Sequence, residues 1–316
     1  MAHGLDAVGL VLARPARMLG FEPFFMELIG GIEESLAAEG RSLLLHVVPD
    51  HDAEIRTYRR WGEGNLVDAV VVVNVALEDS RLDVLSELGI PTVVVGGPRP
   101  DLPFANVWID NAEAMRTAVQ HLVGLGHRRL ARVSGPRGLA HTQARTEAFT
   151  GECARLGAHG TVVEGDYGEE SGTRATRALL GRGAPPSAII YDNDVMAVAG
   201  LGVAHEMDVA VPERLSLLAW DDSALCRLSH PALSAMSLDV HAMGVQVADC
   251  VLNLLASGTV RSYTAPLPRL VTRGTTSAAP AGSPQALPEN ARICPETQVT
   301  RATILRSHPP GGWVGG

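Results

Sequence analysis

Short, nearly continuous apolar runs recur along the chain, and segments with helical spacing separate them. The runs are rich in β-branched residues and do not alternate apolar with polar positions, which is typical of parallel strands covered on both faces. Strands are predicted at residues 8–12, 43–48, 67–73, 92–95, 130–133, 188–191 and 215–220, with shorter pieces at 107–109, 162–163, 261–266 and 269–272.

Apolar positions between these runs fall three or four residues apart, as on one face of a helix. Such faces occur at 25–36, at 118–125 before the helix stop Gly126, at 196–203 and in a final helix at 240–256. The alternation of strand and helix occurs twice, from about residue 8 to 109 and from about 130 to 220. This order predicts an α/β fold with two doubly wound parallel sheets.

The last 40 residues, 277–316, differ from the rest of the chain. They hold 6 of the 20 prolines and show no periodic apolar positions. A segment of this composition has little apolar surface to bury, so we predict that it is disordered.

The 316 residues carry 26 basic and 35 acidic side chains, which gives a formal net charge of −9. This balance does not favour a protein that grips a polyanion. All the basic residues are arginine, so the lysine of a Walker phosphate loop and a Schiff-base lysine are both excluded.

Four cysteines, Cys153, Cys226, Cys250 and Cys294, lie far apart without a CxxC spacing. We interpret them as ordinary thiols in a reducing compartment. The first residues lack the pattern of a secretory signal, and no apolar run approaches the roughly 18 residues of a membrane helix. The sequence therefore predicts a cytoplasmic protein that does not enter a membrane.

Ligands of doubly wound sheets bind outside the carboxyl ends of the strands. The residues that follow the predicted strands, in both halves of the chain, include aromatic, arginine, carboxylate and amide side chains: Phe24, Phe25, Asp110, Asn111, His141, Arg145, Tyr167, Asp192, Asn193, Asp194, Asp221 and Asp222. Hydroxyl groups pair with arginine and carboxylate groups, and the C–H face of a sugar packs on aromatic rings. This set favours a neutral polyhydroxylated ligand.

Each of these residues also has a purely structural explanation. Asp110, Asp192 and Asp221 precede helix or loop starts, where aspartate caps backbone N–H groups. Phe24 and Phe25 belong to a residue type that is commonly buried in cores. Only the shared position at the strand ends of both halves favours a binding site over these explanations.

Signatures of enzymes and metal sites are missing from the sequence. It contains no GxSxG elbow, and the histidine spacing of a zinc-protease helix is not met at His205. Asp50, His51, Asp52 and Glu54 are interpreted as the capped start of a helix. We therefore expect no catalytic residues, no metal and no cofactor.

An ordered set of motifs resembles the effector-binding core of LacI/GalR-type bacterial transcription regulators and spans about residues 6–276. The motifs are VGLVL at 8–12, PFFMELIGGIE at 23–33, HLVGLGHRRL at 121–130, GDY at 165–167, ESG at 170–172, NDVMA at 193–197, VPE at 211–213, LSLLAWD at 215–221, PAL at 231–233 and LVTRGTT at 270–276.

The resemblance implies a periplasmic-binding-protein-like fold of type I, in which three crossovers join two doubly wound α/β subdomains. The crossovers are expected near Ile109, Leu238 and Pro266. One subdomain would comprise residues 6–109 and 239–266, and the other residues 110–238 and 267–276. The tail predicted above would follow from residue 277.

The same resemblance implies roles for eight residues in an effector site between the subdomains. Phe24 and Phe25 match aromatic contacts of the first loop, and Tyr167 matches an aromatic wall. Arg145 matches the effector-binding arginine, and Asp221 an acidic acceptor of hydroxyl groups. The remaining matches are polar positions, with His141 at a place that varies with the ligand: Asp110, His141 and Asn193.

We therefore expect the ligand-sensing and dimerising portion of a transcription regulator, controlled by a small effector through closure of the cleft. The effector would be a sugar or polyol, with a nucleoside stacked between Phe25 and Tyr167 as the other option. A solute-binding receptor of a transport system is the alternative function. Family members begin with a helix-turn-helix of about sixty residues. Here the first strand begins at about Ala7, so we expect operator DNA to be bound only through a helix-turn-helix that this chain lacks.

Overall fold

A computed structural model describes residues 6–14, 23–97 and 103–280. In chain order the elements are β1 (Ala7–Ala13), α1 (Pro23–Ala38), β2 (Ser42–Val48), α2 (His51–Gly64), β3 (Ala69–Val72), α3 (Ser80–Leu88), β4 (Thr92–Val95), β5 (Ala105–Trp108), α4 (Asn111–Gly124), β6 (Arg129–Ser134), α5 (Ala140–Arg155), β7 (His159–Glu164), α6 (Glu169–Leu180), β8 (Ala188–Tyr191), α7 (Asp194–Glu206), β9 (Ser216–Trp220), α8 (Ala224–Leu228), β10 (Ser234–Ser237), α9 (Val240–Ser257), β11 (Ser262–Thr264) and β12 (Arg269–Val271).

The described strands form two six-stranded sheets, with the orders β11-β5-β4-β3-β1-β2 and β12-β10-β9-β8-β6-β7. All pairs are parallel except β10 with β12. We call the first sheet with α1, α2, α3 and α9 the first lobe, and the second sheet with α4 to α8 the second lobe. The predicted α/β fold with two doubly wound, mainly parallel sheets is thus confirmed.

The chain passes between the lobes after β5, after β10 and after β11. These passages fall beside Ile109, Leu238 and Pro266, where the family resemblance placed them. We propose on this basis the division into residues 6–109 with 239–266 and residues 110–238 with 267–276. Ile109 and Leu238, at two of these passages, line the cavity between the lobes.

Alternate residues of the central strands pack on opposite faces of each sheet. In β3, Ala69 and Val71 join the core shared with α1 and α9, whereas Val70 and Val72 join the core shared with α2 and α3. The expectation of two covered faces is wrong for β2, where Leu44 and Leu45 are exposed. The reason is that β2 is an edge strand of the first sheet.

Helix α9 packs tightly along α1. A Cβ atom on Gly31 would lie 2.0 Å from His241 O, and one on Gly244 would lie 2.4 Å from Leu28 O, so both positions require glycine for this close approach. The 18 residues of α9 have a mean hydropathy of 1.3, and by length and composition alone this helix could cross a membrane. The sequence-based prediction that no apolar segment approaches the length of a membrane helix is therefore wrong for α9. Its packing against α1 and the sheet identifies α9 as a core helix.

Five described elements were not predicted: α3, α5, α6, α8 and β10. The segment that follows β12 also differs from expectation, because Ser277 Oγ donates to Pro212 O at 3.1 Å and Ala279 N donates to Leu125 O at 2.8 Å. These contacts hold Ser277 and Ala279 against the second lobe, so the predicted disorder is wrong for the start of this segment. Residues 281–316 lie outside the described residues.

Candidate functional site

The carboxyl ends of the strands of both lobes face a common cleft. A cavity in this cleft encloses about 920 Å³, including the part open to solvent. We call it the cleft cavity. Its walls contain aromatic and aliphatic side chains together with a small number of polar ones, which is the usual composition of small-molecule sites. Residues of α1, β4 and β5 and those directly after β1 and β3 approach from the first lobe. Residues of α5 and β9 and those in the loops after β7 and β8 approach from the second.

Seven of the eight predicted site residues line the cleft cavity: Phe24, Phe25, His141, Arg145, Tyr167, Asn193 and Asp221. Asp110 does not belong to the lining. Its carboxylate is the N-cap of α4 and accepts a hydrogen bond from Glu113 N at 2.9 Å. The neighbouring Asn111 lines the cavity instead. The structure therefore assigns Asp110 the capping role and gives its place in the cavity to Asn111.

Arg145 lies at the centre of the polar wall. Its Nε donates to Asn111 Oδ1 at 2.8 Å, and its guanidinium carbon lies 4.1 Å from the centroid of the Trp220 ring. Burial lowers the pKa of Arg145, while the charge of Asp192 opposes this shift. The side chain is thus fixed by an amide on one edge and an indole on one face, which leaves a planar donor group of defined orientation in the cavity.

A buried ion pair supports Arg145 from behind. Arg132 is fully buried and donates from Nε to Asp192 Oδ1 at 2.7 Å and from Nη2 to Asp192 Oδ2 at 2.5 Å. Gly135 N also donates to Asp192 Oδ2. Burial alone would raise the pKa of Asp192, but the charges of Arg132 and Arg145 outweigh it and hold the pKa below its usual range. Asp192 therefore stays ionised next to Arg145.

His141 and Tyr167 form a second polar wall. His141 Nε2 and the Tyr167 hydroxyl share a hydrogen bond of 2.7 Å, and Thr142 Oγ1 lies 3.3 Å from the same hydroxyl. Burial, aided by the charge of Arg145, lowers the pKa of His141 to about 3, and burial raises the pKa of Tyr167 to about 12. Both side chains are therefore neutral hydrogen-bonding groups at physiological pH.

Three residues of the lining have a left-handed backbone: Asn74 with φ 51°, Tyr167 with φ 69° and Asp221 with φ 63°. This conformation is uncommon outside glycine and unusual for a ring as large as tyrosine. At Tyr167 it is held by Asn193, whose Nδ2 donates to Tyr167 O at 2.9 Å while its Oδ1 caps α7 at Met196 N. Asn193 is thus both a helix cap and a support of the cavity wall.

Aromatic rings of the first lobe form the opposite wall. Phe24 and Phe25 meet edge to face with their centroids 5.3 Å apart. The guanidinium of Arg14 lies 4.7 Å from the centroid of Phe25 and 5.8 Å from that of Tyr167, so it contacts a ring of each lobe. The cleft is consequently spanned by a cation between two aromatic faces.

Comparison with known proteins places this arrangement in a family. Residues 119–276 match the family described as periplasmic binding protein-like domain. The crystal structure of a LacI family transcriptional regulator from Bifidobacterium animalis subsp. lactis is 33% identical, with a TM-score of 0.80 over 87% of this chain and 98% of that one. The chain belongs to the LacI family of transcription regulators.

Other transcription regulators are also similar to this chain. The transcriptional regulator CelR of Thermobifida fusca is 27% identical over 80% of this chain and 76% of CelR. A structure of CelR in complex with cellobiose is 26% identical, with a TM-score of 0.79 over 85% of this chain and 84% of that one. These relatives are transcription regulators, which confirms that the chain is not an enzyme and favours a regulator over the alternative solute receptor.

Several residues of the lining were not among the predicted contacts: Arg14, Asn74, Asn111, Asp192, Asp194 and Trp220. Asn111, Asp192 and Asp194 directly follow strands and were noted there, so strand-end position was a usable signal for them. Trp220 ends the mainly apolar strand β9, and its role as a support for Arg145 leaves no trace in the sequence pattern.

The remaining chemical candidates have structural roles. Asp50 caps α2 by accepting from Ala53 N at 2.8 Å, which confirms that this acidic segment is a helix start. Cys153, Cys226 and Cys250 are buried free thiols, and Cys294 lies outside the described residues. Among residues 6–14, 23–97 and 103–280, no group of three or more histidine, cysteine or acidic side chains is arranged to hold a metal ion.

Proposed function

We propose that this chain is the effector-sensing part of a cytoplasmic LacI-family regulator and binds an uncharged sugar or polyol in the cleft cavity. The observation that carries the proposal is the convergence of Phe25, Arg145, Tyr167 and Asp221, from both lobes, on one cavity. A ligand that touches both lobes binds the closed cleft more tightly than the open one. Such differential affinity is the physical requirement for an effector.

The charge balance of the site supports an uncharged ligand. Asp192, Asp194 and Asp221 line the cavity, and Arg14 and Arg145 line it as well. Arg132, directly behind, pairs with Asp192. With Arg132 included, three carboxyl groups are matched by three guanidinium groups, so the site has no excess of one charge that would select an ionic ligand. Hydroxyl groups can pair with either kind of side chain.

The aromatic wall supports a sugar over a nucleoside. Sugar rings pack their C–H faces on aromatic rings such as Phe24 and Phe25. A base stacked between Phe25 and Tyr167 would need the space that the Arg14 guanidinium takes between those rings. The complex of the relative CelR with cellobiose agrees in ligand class.

In the proposed mechanism, effector binding closes the cleft and changes how two copies of the chain are arranged, which alters DNA binding by the parent regulator. The homodimer is part of this proposal. Its check is sedimentation equilibrium, for which we expect twice the chain mass of 33.3 kDa; a monomer at micromolar concentration would contradict the dimer.

A thermal-shift screen against sugars, polyols and nucleosides tests the proposed ligand class. A ligand that binds only the native state raises the melting temperature, by an amount that grows with ligand concentration above Kd. We expect a shift with at least one neutral sugar or polyol and none with nucleosides. A shift with nucleosides alone would replace the proposed ligand class.

A further inference from the structure

The cleft holds a second compartment beside the cleft cavity. It encloses about 690 Å³, again including the part open to solvent, and lies between the ends of β1 and β3, the start of α2, and the loops after β6 and β7. Its polar lining comes from both lobes, with His51, Glu54 and Arg81 on one side and Asp166 on the other. None of the motifs of the family resemblance assigns a role to His51, Glu54 or Arg81.

The cleft cavity and the second compartment adjoin each other. Arg14, Val73, Asn74 and Tyr167 line both of them. Arg14 and Tyr167 stand at this shared boundary with their cationic and aromatic groups 5.8 Å apart. A ligand held against Phe25 and Arg145 in the cleft cavity therefore has the second compartment directly beyond Tyr167.

The polar groups of the second compartment are fixed in place before any ligand arrives. Glu54 is fully buried; it accepts hydrogen bonds from the Tyr58 hydroxyl at 2.7 Å and from Arg81 Nη1 at 2.9 Å. Its other oxygen lies 3.1 Å from His51 Nδ1. Arg81 also pairs with Asp79 at 2.6 Å. This network orients the His51 ring, whose side chain is 55% exposed, at the edge of the compartment.

The buried charges on the first-lobe side of the second compartment are paired, because Arg81 lies 2.9 Å from Glu54 and 2.6 Å from Asp79. Burial of Arg81 is outweighed by its bonds to Asp79 and its attraction to Glu54, so the pKa of Arg81 is raised and the guanidinium stays charged. The first-lobe wall of the compartment is therefore polar, preorganised and paired in its buried charges, which suits a neutral group rich in hydroxyls better than an apolar group.

We infer that the second compartment receives a second sugar unit, and that the effector is a disaccharide or longer glycoside rather than a monosaccharide. This inference rests on the proposed function, because it takes a sugar in the cleft cavity as its starting point. Contacts of the second unit with His51 on the first lobe and Asp166 on the second would add to the affinity for the closed cleft.

Calorimetric titration with matched sugars tests the inference. The probes are glucose with cellobiose and maltose, and galactose with lactose and melibiose. We expect at least one disaccharide to bind about ten times more tightly than its monosaccharide. Equal affinity of a bound monosaccharide and its disaccharides would overturn the inference and leave the proposed function standing. Absence of binding by every sugar, short or long, would contradict both.

A blocking variant locates the second unit. His51→Trp places a bulky ring at the edge of the second compartment, on a side chain that is already half exposed. We expect it to remove the tenfold advantage of the disaccharide and to change the monosaccharide Kd less than twofold. Arg56→Trp, at an exposed position of the same helix, is the matched control and should keep the advantage. An advantage that persists in His51→Trp would overturn the inference; the melting temperature without sugar verifies that both variants fold.

Discussion

Arg132 and Asp192 show how one buried ion pair holds the wall of the site in place. Both are fully buried, and Asp192 accepts two hydrogen bonds from Arg132 while attracting Arg145 at 3.9 Å. Removing one partner of such a pair leaves an uncompensated charge in a medium that solvates it poorly.

We therefore expect Arg132→Met to lower the free energy of unfolding by about 3–5 kcal/mol, measured by urea denaturation. The matched control is Arg137→Met, because Arg137 pairs with Glu164 at 2.8 Å while 63% exposed, and exposed pairs contribute less than about 1 kcal/mol. Equal losses in the two variants would contradict the structural role assigned to Arg132.

His141 gives the site a defined dependence of stability on pH. Its pKa is about 3 in the folded protein against an ordinary 6.5, because the ring is buried next to Arg145. Between these values the unfolded chain binds a proton that the folded protein does not, so the free energy of unfolding falls as pH is lowered from about 6.5 towards 3.

In His141→Asn this fall should be shallower, which urea unfolding at about pH 7 and pH 5 can measure. The slope will not vanish, because burial also lowers the pKa of His121 and of His127. The same slope in the variant and the wild type would show that His141 is not held neutral by the fold.

Residue types at strand ends were a sufficient signal for most of the lining. The signal failed at Asp110 because a residue that follows a strand can turn its side chain to the next helix or to the cleft. The backbone conformation decides between them, with φ −73° and ψ 80° at this N-cap. Arg14 was missed for a related reason. Its guanidinium contacts the rings of Phe25 and Tyr167, which are far apart in the sequence.

At the scale of elements, a backbone bridge joins the two lobes across the cleft. Ala140 N donates to Val75 O at 2.9 Å, and Leu77 N donates to Gly138 O at 3.0 Å. Ala140 is the first residue of α5, whose N-cap Leu139 has no side-chain cap. A carbonyl group of the first lobe thus accepts a hydrogen bond from the first backbone N–H of the helix that carries His141 and Arg145.

Proline at position 140 tests this bridge. The first helical position tolerates proline, and Leu139 already has the extended backbone that precedes proline, with ψ 133°. Ala140→Pro therefore removes one hydrogen bond between the lobes, worth about 0.5–1.5 kcal/mol, and keeps α5. We expect sugar affinity to weaken by up to about tenfold in calorimetry.

The control is Glu169→Pro, at the first position of α6, after Gly168 with ψ 157°. Among the backbone hydrogen bonds of the described residues, none joins Glu169 N to the first lobe. Unchanged affinity in Ala140→Pro, or the same loss in Glu169→Pro, would show that the bridge does not stabilise the closed cleft.

The elements that the sequence predicted are those with strong periodicity. The runs of β1, β3, β4 and β8 are continuous and β-branched because both faces of these strands are buried. The strand β10, with the sequence SAMS, carries no such signal, since its place is fixed by pairing with β9 and β12. Helix α8 has only five residues, too few to show a helical period.

At the scale of the whole molecule, the account depends on two lobes that share one small-molecule site. Fold class and family could be predicted because an ordered set of motifs spans most of the chain. The second compartment could not, because it arises where α2, α3 and the loops after β6 and β7 approach each other, and no local pattern encodes that approach.

Calorimetric titration of the wild type and Arg145→Ala with a sugar found in the screen tests the central claim most directly. Arg145 contacts Asn111 and Trp220 in the cavity wall, while Asp192 keeps its partner Arg132, so the variant should fold. We expect one binding site per chain in the wild type and affinity reduced at least about a hundredfold in Arg145→Ala. The same affinity in both proteins would contradict a sugar site between the lobes.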